Sequence, residues 1–204
     1  MYIDLTHTFN NQMPVFPGDS SADLIKVADV AKDGVAAYEV KTSMHVGKHM
    51  DAPAHMLLGG KFLHEYPVEK FFGRGIIIDA RGKSSAGPEL LEGVEIKKGD
   101  VVLVYFDWST EFGKDDYYQN YPELSEGFAS KLCEAGVSIL GMDTPSPDRA
   151  PYSVHKILLK RDILIIENLT NLQALISHKN FKLIALPTKF EAEAAPCRVI
   201  ARIV

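Results

Sequence analysis

Six short, nearly continuous apolar runs limit the fold more than any other feature of this chain: residues 76–78, 101–106, 137–142, 163–166, 183–186 and 199–204. Each is rich in β-branched residues and has the length of a strand. A strand that is apolar at consecutive positions has no face for water, so it needs cover on both sides. Helical patterns lie between the runs to supply it. Residues 126–135 put Phe128, Ala129, Leu132 and Cys133 on one face, with Ser125 placed to cap the start and Gly136 to end it. Residues 153–160 repeat the spacing with Val154, Ile157 and Leu158. The first part reads differently: 13–19 is a turn-rich loop and 38–44 alternates like a strand, while 82–87 reads as a surface loop. The expected fold class is α/β, a mixed β-sheet with flanking helices, in one domain over residues 1–204.

Charge and composition remove several function classes. Lys plus Arg number 22 against 27 Asp plus Glu, a formal charge of -5, so there is no basic excess to neutralise nucleic acid. No apolar run approaches the roughly 20 residues a membrane span needs, and no membrane partner is expected. The first residues carry neither a basic segment nor an apolar stretch of leader length, so a cytoplasmic protein is expected. Cys133 and Cys197 are too few for a disulfide scaffold and read as small buried hydrophobes. Glycine-rich phosphate loops and a GxSxG elbow are missing from the sequence.

The chemistry concentrates in His45-Val46-Gly47-Lys48-His49-Met50-Asp51-Ala52-Pro53-Ala54-His55, which holds three of the seven histidines. A helix through it is excluded in practice by Gly47 and Pro53. In an extended chain His45, His49, Asp51 and His55 share one parity and would line one wall. A straight strand would spread them over about 33 Å, whereas ligands of one metal ion stand about 2.0–2.2 Å from it. The chain must therefore bend, and Gly47 and Pro53 are residues that permit or enforce bends. A turn through Gly47 and Lys48 would bring His45 back beside His49 and Asp51. Imidazole with carboxylate suits zinc, manganese or ferrous iron, and three protein donors leave a position open for water.

A second acidic region follows the run 137–142. Glu167 ends a buried strand and is either a further ligand or the partner of a nearby Lys or Arg. Asp143 and Asp148 stand in a proline turn, read as its caps and outside the site. Spacing alone makes His155 a helix-surface histidine.

The pattern HxGxHxDxPxH over 45–55 resembles the bacterial and archaeal cyclase family that includes kynurenine formamidases and isatin hydrolases. The resemblance continues through DLTH at 4–7, PVFPGD at 14–19, WSTEFGKDDYY at 108–118, GMDTPS at 141–146, HKILL at 155–159, ENLTNL at 167–172 and ALP at 185–187. It implies a mixed, partly barrel-like sheet with flanking helices, a homodimer or homotetramer with the active site near a subunit interface, and one or two divalent ions per subunit, Zn2+ or Mn2+. His45, His49 and Asp51 match ligands of the first ion, His155 a ligand of a second, and Glu167 a shared one. His55 matches the catalytic acid/base, and Phe16 the aromatic residue offered to substrate. Two departures stand out. Lys48 replaces the usual Thr, setting a cation between two ligands, and EAEAAP at 191–196 replaces a small, glycine-rich stretch.

The activity so implied is hydrolysis of a small-molecule amide or lactam. Water acidified by the ion attacks the carbonyl while His55 moves a proton to the leaving nitrogen. Competing readings are a lactone- or lactam-opening relative of isatin hydrolase, a non-catalytic metal- or ligand-binding protein, and a purely structural oligomer.

Overall fold

In a computed structural model of the chain, describing residues 1–178 and 180–204, each of the six apolar runs supplies a strand, or part of one, to a single sheet, with 137–138 and the run ends at 106, 163 and 204 outside the strands. The strands are β1 (Tyr2–Asp4), β2 (Asp23–Ala28), β3 (Ala37–Lys41), β4 (His49–Asp51), β5 (Phe72–Asp79), β6 (Ser85–Ala86), β7 (Val101–Tyr105), β8 (Glu123–Leu124), β9 (Ile139–Met142), β10 (Leu164–Glu167), β11 (Phe181–Pro187) and β12 (Ala194–Ile203). The helices are α1 (Val30–Asp33), α2 (Glu126–Ala135) and α3 (Ser153–Leu159). Seven strands close a ring in the order β12, β11, β5, β7, β9, β10, β4 and back to β12. Strands β5, β7, β9 and β10 run parallel, and the remaining pairings of the ring are antiparallel. The mixed, partly barrel-like sheet expected from the resemblance is thus present.

Alternation along the strands divides the apolar residues into two sets. Val101, Leu103 and Tyr105 of β7 join Met50, Ile166, Leu183, Ala195, Cys197 and Val199 inside the ring. Val102 and Val104 point outward with Leu140, Met142 and Ile165, under Phe128 and Leu132 of α2 and Leu158 of α3. This is the two-sided cover that the continuous apolar runs require. Ser125 Oγ accepts from the Phe128 amide at 3.1 Å, and Gly136 ends α2 at φ 71°. Cys133 is only half-buried, so one of the two cysteines departs from the expected burial.

Strand β12 closes the ring and does more. One part of its edge pairs with β4, Pro196 opposite His49 and Ala194 opposite Asp51. Further along, it pairs with β1, Asp4 opposite Ile200. Two sequence expectations change. Strand β3 is not half-buried: it forms a ribbon with β2 alone, leaving Ile25, Val27, Tyr38 and Val40 exposed, because no layer packs on that ribbon. The loop 82–87 contains β6, which pairs in parallel with β8 and buries Ala86.

Candidate metal centre and active site

Strand β4 carries the donors because its neighbours leave one face for them. Met50 faces the ring interior, so His49 and Asp51 on either side of it point outward, each with 1 % exposure. Antiparallel pairing with β10 sets Glu167 opposite His49. Before β4 the chain turns sharply at Gly47, whose φ of 63° belongs to the region that favours glycine. The turn returns His45 to the donors, with Nδ1 at 3.2 Å from Asp51 Oδ1. This is the bend expected from Gly47 and Lys48.

The polar atoms gathered here repeat one spacing. His49 Nε2 stands 3.4 Å from Asp51 Oδ1 and 3.2 Å from Glu167 Oε2. His155 Nε2, from the first turn of α3, stands 3.3 Å from Glu167 Oε1. Donors placed about 2.0–2.2 Å from a tetrahedral ion are about 3.3–3.6 Å from one another. Despite these approaches, His49 Nε2 and both Asp51 oxygens are buried without a hydrogen bond. Unsatisfied buried atoms of this kind cost free energy unless something else binds them. Ligand atoms of His45, His49 and Asp51 all lie within 4.8 Å of one another, as do those of Asp51, His55 and His155. The arrangement fits a small divalent ion.

Groups behind the donors fix which nitrogen is free. His49 Nδ1–H donates to the Gly47 carbonyl at 2.8 Å, so Nε2 keeps its lone pair for the cluster. Asn168 Nδ2 donates to the same carbonyl at 3.0 Å, and its Oδ1 accepts from Tyr117 at 2.7 Å. His155 Nδ1–H donates to Asp148 Oδ1 at 2.5 Å, again freeing Nε2. Asp148 also caps α3, accepting from the Val154 amide at 2.7 Å. A role limited to the proline turn is therefore corrected for Asp148. Asp143 accepts from the amides of Phe106 and Ser109.

Charge is concentrated and mutually dependent. Burial disfavours the imidazolium of His45, but Asp51, Glu167 and Glu193 outweigh it and lift the group to about 9. Burial likewise opposes His155, and Asp148 and Glu167 raise it to about 10. Burial would push the carboxyls up, yet the imidazoles hold Asp51 and Glu167 below the usual carboxylate range. His55 goes the other way. Burial depresses it despite Asp51, leaving a neutral imidazole at neutral pH.

His55 lies in the short turn Pro53–His55, its ring 4.3 Å from that of His45 and 6.0 Å from that of His155. A cleft of about 280 Å³ opens over the donors and is lined by His45, His55, His155 and Glu167. Its apolar wall includes Phe16 and Tyr118, whose rings meet edge to face at 5.4 Å, with Met56 and Pro145. Five of the seven residues singled out in the sequence thus line this cleft, and the other two, His49 and Asp51, are buried against His45 and Glu167 beside it. Glu193 was missed there: Oε1 is 3.3 Å from His45 Nε2, and only the β4–β12 pairing brings them together. Lys48 does not stand between the two ligands. Its side-chain nitrogen reaches Cys197, a member of the ring-interior set.

Comparison with known proteins extends this picture. Residues 3–149 match the Cyclase family, described as "Putative cyclase". The chain is 32% identical to a kynurenine formamidase of Bordetella petrii, covering 98% of this chain and 96% of that protein. It is 28% identical to a kynurenine formamidase of Bacillus cereus, covering 98% and 97%. Among solved structures, isatin hydrolase A from Labrenzia aggregata bound to benzyl benzoate superposes with TM-score 0.89 at 24% identity, covering 100% and 93%. A predicted metal-dependent hydrolase from Bacillus stearothermophilus gives TM-score 0.82 at 24% identity, covering 98% and 97%. With likeness running along nearly the whole sequence and the same closed sheet beneath it, the chain belongs to the Cyclase family.

Proposed function

We propose that this chain is a metal-dependent hydrolase of small aromatic amides, of the arylformamidase kind. The observation that carries the reading is a cluster of donor atoms 3.2–3.4 Å apart, in which His49 Nε2 and both Asp51 oxygens are buried without a hydrogen bond, beside an aromatic-walled cleft. His45, His49 and Asp51 would hold one divalent ion, zinc or manganese, and His155 with Glu167 a second or a shared position. When bound, such an ion supplies Lewis acidity, polarising a carbonyl and acidifying water. Phe16, Tyr118 and Met56 bind the aromatic part of the substrate and keep bulk water from it. His55, neutral and open to the cleft, takes the proton of the attacking water on a ring nitrogen and delivers it to the leaving nitrogen. Asp148, Asn168 and the Gly47 carbonyl orient the imidazoles.

The same groups would open a cyclic amide, since a lactam presents the same carbonyl–nitrogen bond to them and an aromatic lactam has an apolar face for the wall. Zinc- or manganese-loaded protein is therefore assayed with N-formylkynurenine and with isatin. Turnover of the formamide that falls at least 100-fold in His55→Ala, with metal retained, is the expected result. Full metal occupancy with no turnover of amide, lactam or lactone would refute the hydrolase reading and leave a metal- or ligand-binding protein.

A further inference from the structure

Behind β4, on the side away from the donors, Lys48 and Cys197 meet across the β4–β12 pair. They are 5 % and 7 % exposed, and Lys48 Nζ lies 3.1 Å from Cys197 Sγ. Among the described residues Lys48 has no carboxylate within ion-pair distance, so this thiol is its side-chain partner. Both line a cleft of about 350 Å³ that shares no lining residue with the one over the donors and also contains His7, Thr6 and Met13. The thiol has a route to small solutes and a nitrogen nucleophile beside it. It has no second thiol in reach: Cys133 donates to the Ile157 carbonyl in the outer layer, with the sheet between it and the interior where Cys197 sits.

We propose that Lys48 and Cys197 form an oxidative modification site, closed by hydrogen peroxide into a sulfenamide bond between Nζ and Sγ. In the first step the thiol attacks peroxide, giving the sulfenic acid and one water, so that sulfur is oxidised and peroxide reduced. In the second, the Lys48 amine attacks that sulfur; an N–S bond forms, the S–O bond breaks, and hydroxide leaves with the nitrogen proton as a second water. Two equivalents of an external thiol reverse the bond, returning amine and thiol with a disulfide as by-product. A sulfenic acid ordinarily condenses with a neighbouring thiol or a backbone nitrogen; here the side-chain amine occupies the place of the resolving group. The cross-link ties β12 to the residue preceding His49. Burial pushes the Cys197 thiol up, so excess peroxide is needed.

The test uses the full zinc-loaded chain carrying Cys133→Ser, which leaves Cys197 as its single thiol. After excess peroxide and catalase, it is digested with trypsin without reductant and mapped by mass spectrometry. The expected product is one joined peptide pair, lighter than its two parts by two hydrogens, uncleaved after Lys48, and separated again by dithiothreitol. With Lys48→Arg the pair is expected to vanish, Cys197 being recovered instead as a dimedone adduct or a sulfinic acid. Recovery of Cys197 as free thiol, sulfinic or sulfonic acid from the Lys48 protein, with normal cleavage after Lys48, would overturn the assignment. None of these readouts depends on hydrolase activity.

Discussion

Asp148→Asn separates the orientation of a metal donor from the donor itself. The two Asp148 oxygens serve different donors, Oδ1 the His155 imidazole at 2.5 Å and Oδ2 the Val154 amide at 2.7 Å. Asparagine fills the same volume but offers one acceptor and one amino group. Whichever way the amide turns, one N–H is left facing another at a buried position, Asp148 being 7 % exposed. A hydrogen bond to a charged group contributes about 1.5–3 kcal/mol. Losing it from His155 is expected to weaken metal binding about 10–100-fold, as removal of such partners typically does. If the carbonyl stays with His155, the Val154 amide loses its acceptor instead, and Tm falls by a few degrees with a smaller change in affinity. Competition for zinc with a chromogenic chelator gives the affinity, and thermal unfolding of the chelator-treated variant gives the second quantity. A variant that matches wild type in both would refute the role assigned to Asp148.

Other consequences can be checked with the same material. Because His45 and His155 are raised to about 9 and 10 from 6.5, both are protonated in metal-free protein at pH 7, and loading zinc must expel those protons; calorimetry in buffers of different ionisation enthalpy should show the release. These raised groups stabilise the metal-free fold fully below 6.5 and lose that contribution as pH climbs through 9 to 10, so its Tm should fall over this interval. A Tm flat across it would contradict the assigned charges. Gly47→Ala forces a non-glycine residue to φ 63° and meets Met13 Cε at 2.1 Å, which is expected to cost about 1–3 kcal/mol in chemical denaturation and to lower zinc affinity by misplacing His45. Phe128→Ala empties a fully buried position between α2 and the sheet and should lose about 3–5 kcal/mol without changing zinc affinity.

Much of the molecule was legible where one residue type had few physical options. Runs without charge could only be covered strands, and the parity of His45, His49, Asp51 and His55 with glycine and proline among them could only serve one site through bends. What escaped notice depended on pairings far apart in sequence. A three-residue strand such as β4 carries no periodicity of its own, so nothing local announced that it joins β10 to β12. Glu193, in the bend just before β12, consequently carried no local signal, although it sits beside His45. Asp148, seven residues before His155, had the appearance of a turn cap because its second hydrogen bond is formed only when α3 folds back. The direction of Lys48 was equally invisible, being set by the interior thiol it meets rather than by its neighbours in the chain.

Strand β4 is the shortest of the seven in the ring, yet two other strands depend on it for their hydrogen-bonded edges. Were it to peel away, β10 and part of β12 would be left as bare, sticky borders able to recruit strands from other molecules. Two of its three residues are also proposed ion ligands, so capture of the ion and fastening of the barrel become a single event. Starvation for metal should then be felt first as breathing along this seam, with faster amide exchange at Met50 than at Leu103 on the opposite wall.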